Sequence, residues 1–327
     1  MQSERSDRPG SDGEKQLQAR FGTVDRAEEF YENALLDHLN ERMRSFLRER
    51  RAVFVGCTNQ GQVTRVRVRD DEGVDVLGPN RVAWDEPPNS DLVAQAETVS
   101  HATLLAIDWE DTTVGFHLNG RITVERNDGG PRCFIEVEEA YIHCAKHIPR
   151  LERDPHTTFD ETRAISPAAD LETLYDEFIT QRIFFMLGSA DANGETDISP
   201  RFGPVGFVQL TERGLAYPEY RGNGVHASLG NMLETGRACF TFLDVWQSGT
   251  ALHVEGDVTL HEEAPASAVD VAETDKTKVW VELVPDETSV ETVDGSAYSL
   301  VHHDPPWGTD DAELKRAGFF TATDGNT

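Results

Sequence analysis

Lysine is nearly missing from this chain. Only Lys15, Lys146, Lys276, Lys278 and Lys315 occur among 30 basic residues, against 59 Asp and Glu, and the formal net charge is −29. That balance argues against a nucleic-acid-binding surface. The acids are dispersed through every segment, so the charge reads as a halophilic adaptation, because a Debye length of about 3 Å in molar salt stops carboxylates from repelling one another at range. Long apolar runs are also missing. Nowhere do 18 apolar residues follow one another, and the opening MQSERSDRPGSDGEKQLQAR is polar throughout, so neither a membrane span nor a signal segment is expected and the location expected is cytoplasmic. Cys57, Cys133, Cys144 and Cys239 lack CxxC spacing and lie in apolar or mixed runs, as buried, reduced thiols do.

What is present is enough chain, 327 residues, for two domains that each bury a core. Residues 1–24 are rich in Ser, Gly, Asp and Arg without apolar periodicity and read as a disordered tail. From residue 25, Phe30, Leu35, Leu39, Met43, Phe46 and Leu47 recur at helical spacing, with one break expected. AVFVGC, a turn and TRVRVR then read as strand, turn and strand. The first domain is expected over 25–152. A Pro-containing linker without core-like period follows over 153–170. The second domain, 171–320, opens with a helix whose face is Leu171, Leu174, Tyr175 and Phe178.

The two halves resemble each other. RRAVFVGC matches QRIFFMLGS, pairing Arg50 with Arg182 and Gly56 with Gly188. HATLLAIDWEDTTVGFHLNGRITVE, from His101, aligns without a gap on RACFTFLDVWQSGTALHVEGDVTLH, from Arg237, pairing Asp108 with Asp244, His117 with His253 and Gly120 with Gly256. CFIEVEEAY and VWVELVPDE place a further strand at the end of each half. Three matches in one order indicate a tandem duplication. Short strands dominate each copy, which favours a small barrel over a doubly wound sheet. The fold class expected is mainly β with helices, as two tandem barrels.

Chemistry concentrates in DISPRFGPVGFVQLTERGLAYPEYRGNGVHASLGN, residues 197–231. Arg221, Gly222, Asn223 and Gly224 precede Ser228 and a helix expected from Ala227 to Leu233. Glycines let backbone N–H groups approach an anion, a helix start adds unpaired donors, and guanidinium adds bidentate recognition. The segment is therefore either a phosphate cradle or a hairpin turn in which Arg221 pairs with an acid such as Glu219. The order of Arg201 on a strand, YPEYRGNG, SLGN and HVEG resembles the pyridoxamine 5′-phosphate oxidase-like FMN-binding split barrels, in particular the subgroup described as predicted flavin-nucleotide-binding proteins. EVEEAYIHCAKHIPR, in the first copy, is similar to a second motif of that subgroup. The resemblance covers about residues 28–151 and 175–290.

It implies a barrel pair holding FMN in the groove between its members. Carried over residue by residue, Ser199, Arg201, Arg221, Asn223, Ser228 and Asn231 contact the phosphate and ribityl chain, with Tyr217, Tyr220 and Gly222 in the same segment. Phe207 lies beside the isoalloxazine, and Tyr141, His143, Lys146 and His147 approach the flavin from the first copy. YPEYRGNG falls only in the second copy and YIHCAKH only in the first, so the duplication implies one complete composite site per chain, built by an intrachain pseudo-dimer. Further oligomerisation stays open. The activity implied is FMN-dependent oxidoreduction of a small-molecule substrate or electron donor, with no catalytic residue named; the alternative is a non-catalytic module for flavin, haem or another nucleotide. His143 and His147 share a helix face at metal-ligand spacing, but no second ligand pair accompanies them, so no metal is expected. His117 and His253 are equivalent in the two copies and read as structural.

Overall fold

In the computed structural model of the chain, the described residues are 10–49, 53–58, 64–69, 74–88, 90–109, 115–143, 150–154, 159, 165–166, 169–220, 222–245, 247–265, 277–292 and 297–302. Three helices come first, α1 (Asp12–Phe21), α2 (Val24–Asn33) and α3 (Glu41–Glu49). Strands β1 (Val53–Thr58), β2 (Thr64–Arg69), β3 (Asp75–Val76) and β4 (Arg81–Asp85) lead to helix α4 (Asp91–Ala96) and to β5 (His101–Ile107), β6 (Gly115–Asn127) and β7 (Gly130–His143). After β8 (Arg150–Asp154) the pattern recurs with helix α5 (Leu171–Glu177), strands β9 (Phe184–Ala190), β10 (Thr196–Phe202), β11 (Gln209–Leu210) and β12 (Leu215–Tyr220), helix α6 (Ala227–Thr235), and β13 (Arg237–Asp244), β14 (Thr250–His261) and β15 (Thr277–Thr292). β16 (Ala297–His302) pairs antiparallel with β8, so the stretch expected as an irregular linker begins inside a strand.

Two seven-stranded sheets result, ordered β2-β1-β5-β6-β7-β4-β3 and β10-β9-β13-β14-β15-β12-β11. Adding eight to each strand number of the first gives the second. The fold is mostly β, of the split-barrel kind. The register agrees in detail, because the β6–β7 ladder shifts between Asn119 and Gly120 and the β14–β15 ladder between Glu255 and Gly256. A Cβ at Gly120 would strike the Glu136 carbonyl, and one at Gly256 the Val284 carbonyl. Only glycine admits a strand crossing that close at a bulge.

Each sheet wraps its own core. Phe30, Leu47, Val55, Trp84, Leu104 and Phe116 lie in the first; Phe185, Phe207, Tyr217, Phe240 and Phe242 form an aromatic centre in the second. A third cluster takes residues from both, with Phe54, Leu105, Ile107 and Trp109 against Phe184, Met186, Ile198, Phe202 and Leu243. These side chains alternate with core residues along the same strands, so both faces of β1, β5, β9 and β13 are buried. Arg182 and Asp244 form a buried ion pair at 2.9 Å, and Asp244 also accepts from the Ser248 hydroxyl.

One expectation is corrected. Residues 12–21 are not a disordered tail but helix α1, with Ser11 accepting from Glu14 N and Gly22 closing the far end at φ 65°. Composition misled because the helix has little apolar surface and is stabilised by docking, with Leu17 and Gln18 buried. The stretch from residue 25 breaks once: α2 ends at Asn33, Leu36 makes an isolated bridge to Ala140, and α3 starts at Glu41. No helix among the described residues is long and apolar enough to cross a membrane.

Phe185 is fully buried against four other rings. Phe185→Ala is expected to cost about 4 kcal/mol, as truncating a buried aromatic does, seen as a lowered urea midpoint.

Candidate functional site

β10 is an edge strand, and it lies against β1 and β5 of the other sheet. Strand alternation puts Asp197, Ser199 and Arg201 on one face, while Ile198 and Phe202 enter the shared core. The Thr103 hydroxyl of β5 sits 2.8 Å from both the carbonyl and the hydroxyl of Thr196, pinning the two sheets together beside that face. From β6, His117 brings its Nε2 to 3.7 Å from Asp197, and its Nδ1 is bonded to the Tyr141 hydroxyl of β7. From α6, the Ser228 hydroxyl donates to Asp197 at 2.5 Å. Tyr141, His117, Asp197 and Ser228 thus form a polar chain across the junction of the two barrels.

Electrostatics follow from burial. His117 is 1% exposed, and desolvation lowers its pKa to about 3. Burial first, then His117 and Arg201, lower that of His143 to about 3 as well. Both imidazoles are neutral at pH 7, and one ring nitrogen of each is an acceptor. Burial raises the Asp197 pKa, against the Ser228 hydrogen bond and Arg201. Tyr141 is raised well above its ordinary value by burial and then by Asp197, Glu139 and Glu14. Arg201 donates to Glu219 at 2.7 Å and to the Ser199 hydroxyl at 2.8 Å. Burial disfavours its charge, but Glu219 more than offsets that and its pKa rises. This pair joins β10 to β12, strands far apart in sheet order, and so ties the barrel across its open seam.

The expected site residues divide into three groups. Ser199, Arg201, Ser228, Tyr141 and His143 converge at the junction. Phe207 and Tyr217 turn into the core of the second barrel instead. Phe207, expected beside a flavin ring, is a correction: it is 1% exposed and stacked on Phe185 inside the second barrel, where the turn at Gly203 to Gly206 carries it. The Tyr217 ring belongs to the same core, and its hydroxyl meets Glu219 and Arg201. Asn231 donates to Ser189 at 3.2 Å, and Asn223 accepts from Val225 N at 3.0 Å within its own turn. Tyr220 is half-buried, and Gly222 is exposed with open space at its Cβ position. Arg221, Lys146 and His147 lie outside the described residues.

Four participants were missed in the sequence: Asp197, Glu219, Glu14 and Tyr31. Asp197 was legible, because it precedes Ser199 and Arg201 at period two on one strand. Glu14 and Tyr31 come from α1 and α2 and carried no signal. His117 was read as structural from its equivalence with His253. The two now differ, because His253 bonds Thr241 at 3.0 Å and faces Glu291 at 3.4 Å within its own sheet, whereas His117 crosses to the other barrel.

Two split barrels with a buried polar junction between them define the class. Residues 171–291 match the family model for pyridoxamine 5′-phosphate oxidase, so this segment is similar to the pyridoxamine 5′-phosphate oxidase-like split barrels. No curated protein matches the chain. Among solved structures, it is similar to a putative pyridoxamine 5′-phosphate oxidase from Lactobacillus delbrueckii, at 15% identity and TM-score 0.28, covering 32% of this chain and 95% of that one. It is also similar to HutZ, a heme storage protein from Vibrio cholerae, at 12% identity and TM-score 0.27, covering 39% and 98%, and to HupZ from Group A Streptococcus, at 9% and 0.28, covering 32% and 93%. At such scores these likenesses carry no functional implication.

Removing Arg201 would leave Glu219 buried without its cation. Arg201→Ala is expected to cost about 3 kcal/mol in denaturant unfolding, and Arg201→Ala with Glu219→Gln to recover part of that loss.

Proposed function

We propose that the chain is an FMN-binding flavoprotein, an oxidoreductase whose single composite site lies at the barrel junction and is completed by both halves of one duplicated chain acting as a pseudo-dimer. The carrying observation is convergence. His117, Tyr141 and His143 of the first half meet Asp197, Ser199, Arg201 and Ser228 of the second in one buried cluster.

The donor set fits a phosphate in kind. Ser199, Arg201 and Ser228 are hydroxyl and guanidinium donors, and α6 starts from His226, which sits at φ 67° and makes no side-chain cap hydrogen bond. First-turn N–H groups of such a helix suit an anion, and Gly222 leaves room for close approach. Two carboxylates compete, since Asp197 holds Ser228 and Glu219 holds Arg201. Phosphate binding therefore requires Ser228 to rotate away from Asp197, and burial, which raises the Asp197 pKa, works in that direction by disfavouring the carboxylate that repels a dianion and holds the hydroxyl.

Bound FMN would supply hydride or electron acceptance from a small molecule. Around it, neutral His117 and His143 and the Tyr141 hydroxyl hold hydrogen-bonding positions without introducing charge, and the shared apolar core excludes water behind them. A non-catalytic module holding a flavin, haem or another nucleotide is the second reading. The neutral His117 and His143 favour it, because neither supplies a cation that would stabilise a reduced, anionic flavin.

FMN titration followed by flavin fluorescence is expected to saturate at one flavin per chain, with Ser228→Ala weakening binding about tenfold, or 1.4 kcal/mol. No uptake and no flavin absorbance would sink the flavin reading. Bound FMN that NADH, NADPH and a reduced deazaflavin all fail to reduce would favour the module.

A further inference from the structure

Helix α1 runs antiparallel along α6. At one end Glu234 of α6 accepts from Gly13 N at 2.6 Å and, through its other oxygen, from Ala192 N at 3.1 Å. In the middle the helices touch backbone to backbone, and a Cβ at Gly13 or Gly230 would strike the main chain of the other. At the far end Gln18 Nε2 donates to the Val225 carbonyl at 2.9 Å, the Phe21 and His226 rings lie 5.2 Å apart, and Thr23 Oγ1 donates to the Gly224 carbonyl at 2.9 Å. Residues 13–23 therefore cover the segment 224–230 along its length. Glu14 enters the buried cluster here. It is 8% exposed and accepts from the Tyr31 hydroxyl at 2.7 Å.

The seat is mainly polar. Leu17 is the one large apolar side chain that α1 buries completely, and an element held by few apolar contacts opens at low cost while the rest stays folded. Ser11 and Gly22 cap α1 at its two ends, but a helix this short is marginal once it leaves its seat, so its amides exchange when it lifts. Gly22 and Thr23 join it to α2, whose Phe30 is fixed in the first core.

We propose that α1 is a hinged cover on the composite site, lifting from α6 as a unit to admit and release a phosphorylated flavin, with Glu14 setting how tightly it closes. This rests on the flavin reading of the site. The groups facing Glu14 are Tyr31 from α2, Glu139 from β7 and Asp197 from β10, with Glu234 further along α6 and Gln18 on α1 itself; none is a cation. Burial, then Glu139 and Asp197, raise the Glu14 pKa to about 7 against the Tyr31 hydrogen bond. The closed state therefore keeps a proton that the open state releases at the ordinary value of 4.5. Closure is strongest below that value, weakens about tenfold per pH unit up to about pH 7, and levels off above it.

The test has two arms. In ligand-free full-length protein, hydrogen exchange over 12–21, corrected for intrinsic rates, is expected to rise about tenfold per unit from pH 5 to 7 and then flatten. Glu14→Gln should make it independent of pH and more protected at pH 8. Exchange only by global unfolding, or the same pH profile in Glu14→Gln, overturns the cover. In the second arm, stopped-flow FMN uptake and release should both accelerate at least tenfold in Gly13→Val, whose side chain meets the Gly230 backbone, and both slow in Glu14→Gln at pH 8. Unchanged rates in Glu14→Gln overturn the gating role even if Gly13→Val fails to fold. Wild-type protein that takes up no FMN overturns the flavin reading and gating with it, while the exchange arm still decides whether α1 opens.

Discussion

The structure turns on a carboxyl group placed where two barrels meet. Asp197 is 5% exposed, and a buried carboxylate without partners is costly. Its surroundings are organised accordingly: the Ser228 hydroxyl from α6, His117 from the opposite barrel and, further out, Arg201 on its own strand. Fixing Ser228 fixes the start of α6. Placing His117 fixes Tyr141 through their hydrogen bond, and Tyr141 packs edge-on against Phe30 of α2 at 5.3 Å. One buried acid thus sets the relation between a helix of the second barrel, a strand pair of the first and the N-terminal helices.

That dependence explains what was legible in the sequence. Strand pairing was, because it is written in local alternation and repeated in two copies, and the matched bulges at Gly120 and Gly256 follow from a residue type that the alignment paired correctly. The turn that leads into α6 was legible because glycine, asparagine and serine declare themselves close together. The contacts of Glu14, Tyr31 and His117 at the junction were not. Nothing near Glu14 or Tyr31 in the chain says that they come to lie beside strands more than a hundred residues away. Phe207 was misplaced because sequence adjacency to Arg201 says nothing about which side of the sheet a turn delivers its next aromatic.

The two copies share topology yet have diverged at the junction. On the first barrel His117 reaches across to Asp197; on the second the equivalent His253 turns to Thr241 and Glu291 in its own sheet. A homodimer of single barrels is bound by symmetry to present the same residues on both sides. Two barrels in one chain are free of that constraint, so polar contacts made by His117 need not recur at His253. YPEYRGNG falls in one half and YIHCAKH in the other, an asymmetry that freedom allows.

The net charge of −29 bears on the kind of site such a protein can keep. In dilute buffer its field opposes any phosphorylated ligand well before contact. In molar salt the Debye length shrinks to about 3 Å and that long-range opposition disappears. Screening does not reach the junction, where Asp197 and Glu14 are desolvated and charges interact through protein rather than water. Selection of an anion must then be local. On the proposed reading, Ser199, Arg201, Ser228 and the start of α6 would have to prevail over Asp197, Glu14 and Glu219, and burial, which raises the pKa of the first two acids, works in their favour.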